Sequence, residues 1–563
     1  MVVFADSSTI EGRNRPIMKK LTQAMLLGLA GITSLPFAAN AAAYTPVNTC
    51  SGTYPSYWQD IAPKFADMWQ GQEITNAPTE AYSGPIFKLA DDYPRKPVDD
   101  KANQPWRAAK FDAMFNPATP QVQKAKLANE YAWLVYNYAL AGNINQKDQT
   151  DFDVCENPVR PWYHIAFQTY DPLSGREFIH GLTREAPVTF SIKSGTGTAA
   201  TTMWAVAIFN ATAAYTLGKV WQKDGTAEIP TANIRFDEGS VIAKPLFNTA
   251  TLDQLPVLAN MPMWKANISD PSFCSPSESS TIVEQSNLCP RNYAKWNDVK
   301  LIQFDISIAD SRAHGTGWVY GTFVADGRRK AKVKDAWQRV DLLGLMWGND
   351  TPPQGQLAYN YPTDPRKNGF KEEVIFWGVV DELNSYGGTG MVQRMGHLGS
   401  NQRLNGPADN ANSSCMSCHG TASVPDTKVT TPLLLAQFSP TSSPPMTKQS
   451  VAPVIGLKAH GLDRSGAVAT EENGVTFSEM DAIYFANVMA GTSFNMTTPS
   501  GKNVLGEGVP TYPNPAQKTW ISLDYSLQLS ISLHQWMQWQ THQRTPVPVQ
   551  DRKLIKALRR NQP

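Results

Sequence analysis

The sequence predicts a multidomain protein. A β-rich, sandwich-like domain follows an N-terminal helical and irregular arm and precedes a smaller, mainly α domain. Three observations predict this. Between residues 186 and 385 the hydrophobic period is two, with Gly, Pro, Asn and Asp clusters between the runs. A Gly- and Asn-rich linker at 386–409 then shifts the composition. Beyond it, over 410–545, capping residues and apolar stripes at helical spacing replace the alternation. A chain of 563 residues is long enough for several domains, and 16 Trp, 19 Tyr and 41 Pro favour a loop-rich, β-containing core over a helical bundle.

Residues 1–43 read as a signal peptide and leader. Lys19 and Lys20 form a positive segment, Leu21 to Phe37 an apolar one, and Ala39-Asn40-Ala41 or Ala41-Ala42-Ala43 offers small residues for cleavage. Asp6 and Glu11 do not belong to such a segment, which makes Met18 a candidate start. No Arg-Arg pair precedes the apolar run, so Sec export is expected over Tat. The expected location is periplasmic or secreted. No later stretch is apolar enough to cross a membrane, so no stable span is expected after cleavage. An uncleaved anchor is the alternative.

The arm spans 44–185. Its first part is rich in Pro, Tyr and Asp, with a helical candidate at 57–71. Ala125 to Ala139 carries aromatics and leucines at the spacing of a buried helix, which Gly142 and Asn143 stop. Residues 157–185 mix aromatic, His and charged side chains, including His164, Arg176 and His180. They would line a cleft or form a buried polar network, and the supporting role is the commoner one for such groups.

The β region holds six strand candidates: Val188–Lys193, Met203–Trp221, Val241–Phe247, Lys300–Ala309, Gly317–Ala325 and Trp337–Trp347. Arg328, Arg329, Lys330, Lys332 and Lys334 form a basic run. It reads as a solvated loop first and as a docking patch for an acidic redox partner second.

The chemistry-bearing motif is Cys415-Met416-Ser417-Cys418-His419. C-x-x-C-H is the attachment pattern of a c-type haem: two thiols bond the porphyrin edge and the adjacent imidazole reaches the iron. A zinc site would need a second tight pair of Cys or His, and the other cysteines stand far off at 50, 155, 274 and 289. Those four suit disulfides in an exported chain. Cys274–Cys289 with Cys50–Cys155 is the favoured pairing of three that are possible.

With this motif, residues 410–545 resemble a monohaem c-type cytochrome domain. Ser478 and Asp481 cap a helix running to Met489, with Gly491 at its end. A last helix runs from Leu523 to Thr541, with Tyr525, Leu529, Leu533, Trp536 and Met537 on one face. A basic tail, 546–563, follows. The resemblance implies one covalent haem c held by Cys415 and Cys418, His419 as proximal iron ligand, and a methionine on the distal side. Met496 is the best positional match, with Met446 and Met489 as alternatives; His397, His460, His534 and His542 are also available. The long stretch at 497–520 departs from the family pattern and leaves the sixth position open.

FDEGSVIAKPLF (Phe236 to Phe247) and the downstream GTGWVYGTF also resemble strands of the cytochrome P460 group. That group carries C-x-x-C-H after its sheet and a haem modified by a lysine. The resemblance implies Lys244 as the matching residue.

The expected function is therefore electron transfer through one haem, with a redox protein or small-molecule donor or acceptor as partner. The alternative is a haem enzyme, P460-like or peroxidase-like, with an open sixth iron site; His164, His180 and Arg176 would then be its acid–base candidates. A net charge of +1 gives no support to a nucleic-acid partner. No P-loop, G-x-G-x-x-G, G-x-S-x-G or His-Glu-x-x-His is present, so nucleotide, flavin, serine-hydrolase and zinc-hydrolase chemistry have no motif.

Overall fold

A computed structural model of the chain falls into two units, Met1–Ala43 and Tyr44–Pro563. It describes residues 92–144, 157–166, 170–171, 175–176, 183–194, 197–222, 226–266, 297–313, 316–348, 366, 369–385, 398, 403–406, 414–420, 422–425, 471–472, 475–476, 520–533 and 536. The leader, the helical candidate at 57–71, the four cysteines assigned to disulfides and the helix expected to end at Met489 lie outside the described residues.

The centre of the second unit is a ten-stranded antiparallel sheet. A long helix, α1 (Gln121–Leu140), precedes it. The first strands are β1 (Trp162–His164), β2 (Thr183–Ser194), β3 (Gly197–Ala205) and β4 (Ile208–Asn210), followed by helix α2 (Ala211–Val220). Then come β5 (Val241–Asn248), β6 (Met263–Ala266), β7 (Asn297–Ala309), β8 (Trp318–Ala325), β9 (Val340–Met346) and β10 (Glu373–Ile375). Helix α3 (Trp377–Ser385), a one-turn helix α4 (Cys415–His419) and a two-stranded pairing of β11 (Ser423–Pro425) with β12 (Trp520–Ser522) complete the part that positions the motif. The main path is β1-β4-β5-β7-β8-β9-β10; β2 pairs with β3, β3 also with β5, and β6 with β7.

Alternation makes the two faces chemically different. Phe304 on β7 and Phe323 on β8 are cross-strand neighbours. Tyr136 of α1 meets both rings, at 4.7 and 4.5 Å between centroids, and Trp133 meets Phe323 at 4.9 Å. Such aromatic pairs add about 0.5–1.5 kcal/mol each beyond the area they bury. Tyr131 donates its hydroxyl to Asp310 Oδ2 at 2.8 Å, and Tyr136 donates to the carbonyl of Trp337. The opposite face carries the next residues along, Asp305 and Thr322, with Lys244 opposite Asp305 on β5.

Two expected strands are shorter than the alternation suggested. Met203 to Trp221 is not one strand: β3 stops at Ala205, β4 covers three residues, and the Asn210 side chain accepts from Ala213 N at 3.0 Å to start α2. Small apolar residues at 211–220 fit either period, and the asparagine cap decides for the helix. Trp337 lies in a 3₁₀ turn, Ala336–Gln338, where its N–H donates to the Asp335 carboxylate at 2.9 Å, so β9 begins at Val340. The expected helix of Ala125–Ala139 is present and extends to α1's full length.

Two cations of the basic run after β8 are paired locally. Arg329 pairs with Asp326 at 2.6 Å and Glu382 at 2.8 Å, and Lys330 with Asp341 at 2.6 Å. Two of the five cations thus serve the fold by tying the loop to β9 and α3.

Candidate functional site

Helix α4 consists of the five motif residues alone. Its start is set by the Cys415 N–H, which donates to the Leu404 carbonyl at 3.1 Å. Met416 is fully buried and fixes one side of the turn in the core, whereas Cys415 and His419 are half-buried. Those two are four residues apart and therefore lie on the same flank of the turn. The Cys418 side chain is outside what the structure describes.

Segment 403–406 lies under this helix and on the polar face of the sheet. Leu404 is buried against Gly344, and a Cβ on Gly406 would collide with the Gln303 amide. Gln303 Nε2 in turn donates to both oxygens of Asp305 at 2.8 Å, and Thr322 Oγ1 donates to Asp305 Oδ1 at 3.0 Å. The Asp305 carboxylate thus accepts from an amide and a hydroxyl in the row that Lys244 begins.

His419 rests on this face. Its ring centroid is 4.4 Å from that of Tyr320, two residues before Thr322 on β8. Its Nδ1 is 2.8 Å from the Tyr525 carbonyl oxygen. A carbonyl can only accept, so Nδ1 carries the proton and donates, and Nε2 keeps its lone pair. Burial pushes the His419 pKa down to about 3; the Tyr525 carbonyl opposes the shift and the positive charge of Lys244 adds to it. The neutral imidazole is the form a metal requires.

The carbonyl is presented by an unusual turn. Asp524 and Tyr525 have φ of 53° and 64°, the left-handed region that side chains other than Gly, Asn and Asp rarely enter. Three contacts hold it there. The Asp524 carboxylate accepts from Phe236 N at 2.7 Å and from the Trp318 indole, and Arg235 stands 3.6 Å away. The expected final helix therefore does not begin at Leu523. Ser526 Oγ accepts from Leu529 N at 3.3 Å, and the helical residues are 527–533 and 536. Tyr525 belongs to the turn, not to the helix face; Leu529, Leu533 and Trp536 are buried as that face predicts.

Among the described residues no three His, Cys, Asp or Glu side chains gather to hold a metal. What is present is a half-exposed cysteine and a neutral, oriented imidazole with its second-shell acceptor, which is what a proximal haem ligand needs. No helix among the described residues is long and apolar enough to cross a membrane.

The other candidates divide. His164 is buried in β1, with Nδ1 2.7 Å from the Ile165 carbonyl, and β4, β5 and β7 separate its strand from β8. It supports the arm, where Tyr93 donates to its backbone carbonyl at 2.7 Å. The Arg176 side chain and His180 lie outside the described residues, as do Met446, Met489, Met496 and the four histidines weighed with them. Sequence reasoning missed Tyr320, Asp305, Asp524 and the carbonyl of Tyr525. Of these only Tyr320 had a signal, its place in the GTGWVYGTF strand. Comparison with protein-family models, curated proteins and solved structures gives no match.

Proposed function

We propose that the chain is an exported c-type cytochrome that binds one haem covalently and transfers electrons through it. Cys415 and Cys418 would hold the porphyrin edge, His419 would be the proximal ligand, and Met496 the distal one. The reading includes a mainly α cytochrome domain at 410–545 beside the sandwich-like β domain, a periplasmic or secreted location, and a redox protein or small molecule as partner. The observation that carries it is the His419–Tyr525 contact within a C-x-x-C-H turn, because it commits Nδ1 and leaves Nε2 for iron.

When bound, the haem supplies one-electron exchange between Fe(III) and Fe(II). The chain's own part is orientation. Tyr525 fixes the imidazole tautomer, the Tyr320 ring fixes its plane, and burial keeps Nε2 unprotonated at neutral pH. The buried Met416 holds one side of the turn, and the Tyr320 and Tyr525 contacts hold the imidazole on another.

The test is direct. Replacing Cys415→Ala together with Cys418→Ala is expected to abolish haem that survives denaturing electrophoresis; persistence of the stain sinks the proposal. In the unaltered protein a sharp low-spin ferrous band unmoved by carbon monoxide is expected, and Met496→Ala should open the site to that ligand.

One observation favours a second reading, a P460-like haem enzyme with an open sixth site. Lys244, the residue matched by resemblance, shares the sheet face of Asp305, Thr322 and the Tyr320 on which His419 rests. Under this reading carbon monoxide shifts the ferrous spectrum of the unaltered protein, and Lys244→Met changes that spectrum. An unmoved spectrum in both experiments removes it.

A further inference from the structure

We propose that Tyr320 is a positioning residue that limits how strongly His419 is hydrogen-bonded, and so sets the electron-donating power of its imidazole. The inference deepens the haem reading and rests on it.

Among the described residues the Tyr525 carbonyl oxygen receives three donors. His419 Nδ1 is at 2.8 Å, the Tyr320 hydroxyl at 3.1 Å and the Leu527 N–H at 3.2 Å. A carbonyl oxygen has two lone pairs, so three donors share them and each bond weakens the others. Leu527 N–H is backbone and fixed by the turn. Tyr320 is therefore the competitor that a side-chain change can remove. Its ring is buried and lies against the imidazole, so a phenylalanine keeps the packing while the hydroxyl disappears.

The turn will not follow the hydroxyl when it is removed. Trp318, on the same face two residues earlier, binds the turn through the Asp524 carboxylate, and Phe236 N binds the same group. These contacts are independent of Tyr320, so the carbonyl stays in place and its freed lone-pair capacity goes to His419.

The chemical consequence has a sign. A stronger bond from Nδ1–H to its acceptor makes the ring a stronger donor at Nε2, which favours Fe(III) over Fe(II) and lowers the reduction potential. The Tyr320 hydroxyl opposes this and keeps the potential higher than the tyrosine-free pocket would.

The experiment compares the full-length haem-loaded protein with Tyr320→Phe and with a site-specifically incorporated fluorotyrosine at the same position, whose more acidic hydroxyl donates more strongly. The midpoint potential is measured by spectroelectrochemistry. It is expected to fall in Tyr320→Phe and to rise with fluorotyrosine. In the haem-free chain, the His419 Nδ1 proton resonance is expected to move downfield in Tyr320→Phe, since its bond shortens. A merely structural role would move both potentials the same way, and unchanged or same-sign shifts overturn the proposal. If Tyr320→Phe does not fold, the sign of the fluorotyrosine shift decides alone. Haem present with potentials unmoved defeats this inference only; no covalent haem in the unaltered protein by mass spectrometry defeats the haem reading and this inference together.

Discussion

At His419 two unlike requirements meet: the ring must be held, and one nitrogen must stay unprotonated. Burial does the second by depressing the pKa to about 3 from an ordinary value of 6.5. Between those values the unfolded chain binds a proton that the folded one does not, so stability falls as the pH drops through that window. For the haem-free protein we expect the urea midpoint to decrease from pH 6.5 downward. The slope is at most about 1.4 kcal/mol per pH unit, reduced because part of the imidazole surface touches water. In His419→Gln this contribution to the slope should vanish; an identical profile would show that another group carries it. Gly406 sets a second requirement at this scale. Its missing side chain lets segment 403–406 meet Gln303, so Gly406→Val is expected to displace the Leu404 carbonyl from Cys415 and, under the proposed haem reading, to lower the yield of haem-loaded protein severalfold, read from the ratio of haem to protein absorbance.

Among the elements, β7 and β8 do most to position the site, because each presents one face to α1 and the other to the motif. Phe323 shows how the two faces depend on one another. Its ring is wedged between Trp133 and Tyr136, and Phe323→Ala is expected to cost about 3–5 kcal/mol in a denaturant titration. Thr322 and Tyr320 on the other face would loosen with it. The last helix depends on a smaller device: Ser526→Ala removes the acceptor of Leu529 N and should cost about 1 kcal/mol. Strand β7 was legible because Gln303, Asp305 and Ser307 alternate with apolar residues, and β5 and β8 because short β-branched and aromatic runs are bounded by turn residues. The helix at 211–220 was not legible, since its small apolar residues satisfy both periods and only the Asn210 cap separates them. The start of the final helix was misplaced for a related reason: Leu523 and Tyr525 fit the apolar stripe, whereas backbone with positive φ has no signature outside glycine-rich turns.

At the scale of the molecule, long-range polar contacts tie segments far apart in the sequence to one sheet. Arg312 gathers the carboxylates of Asp310 and Asp112 and the carbonyls of Trp106 and Ala108, joining the arm to the end of β7. Asp310 is almost fully buried and also accepts from Tyr131. Arg312→Met would leave that charge without its guanidinium, and a loss of about 3–5 kcal/mol in the unfolding free energy is expected. Segments on either side of the 386–409 linker are likewise in contact: the 520–525 strand and turn bond to Asn233 and Phe236, and α4 rests on Tyr320. The sheet thus forms the floor under the motif.

By itself the sequence determined the C-x-x-C-H spacing, which puts Cys415 and His419 on one flank of a turn, and the period-two strands that build the sheet. Both are local: the first follows from covalent spacing and the second from the strand repeat. Only the tertiary structure decided which nitrogen of His419 is committed, because its partner is a backbone carbonyl and every residue has one. It also decided that Tyr320, Asp305 and Lys244 share the face beneath the motif, since that depends on pairing register between strands far apart in the chain.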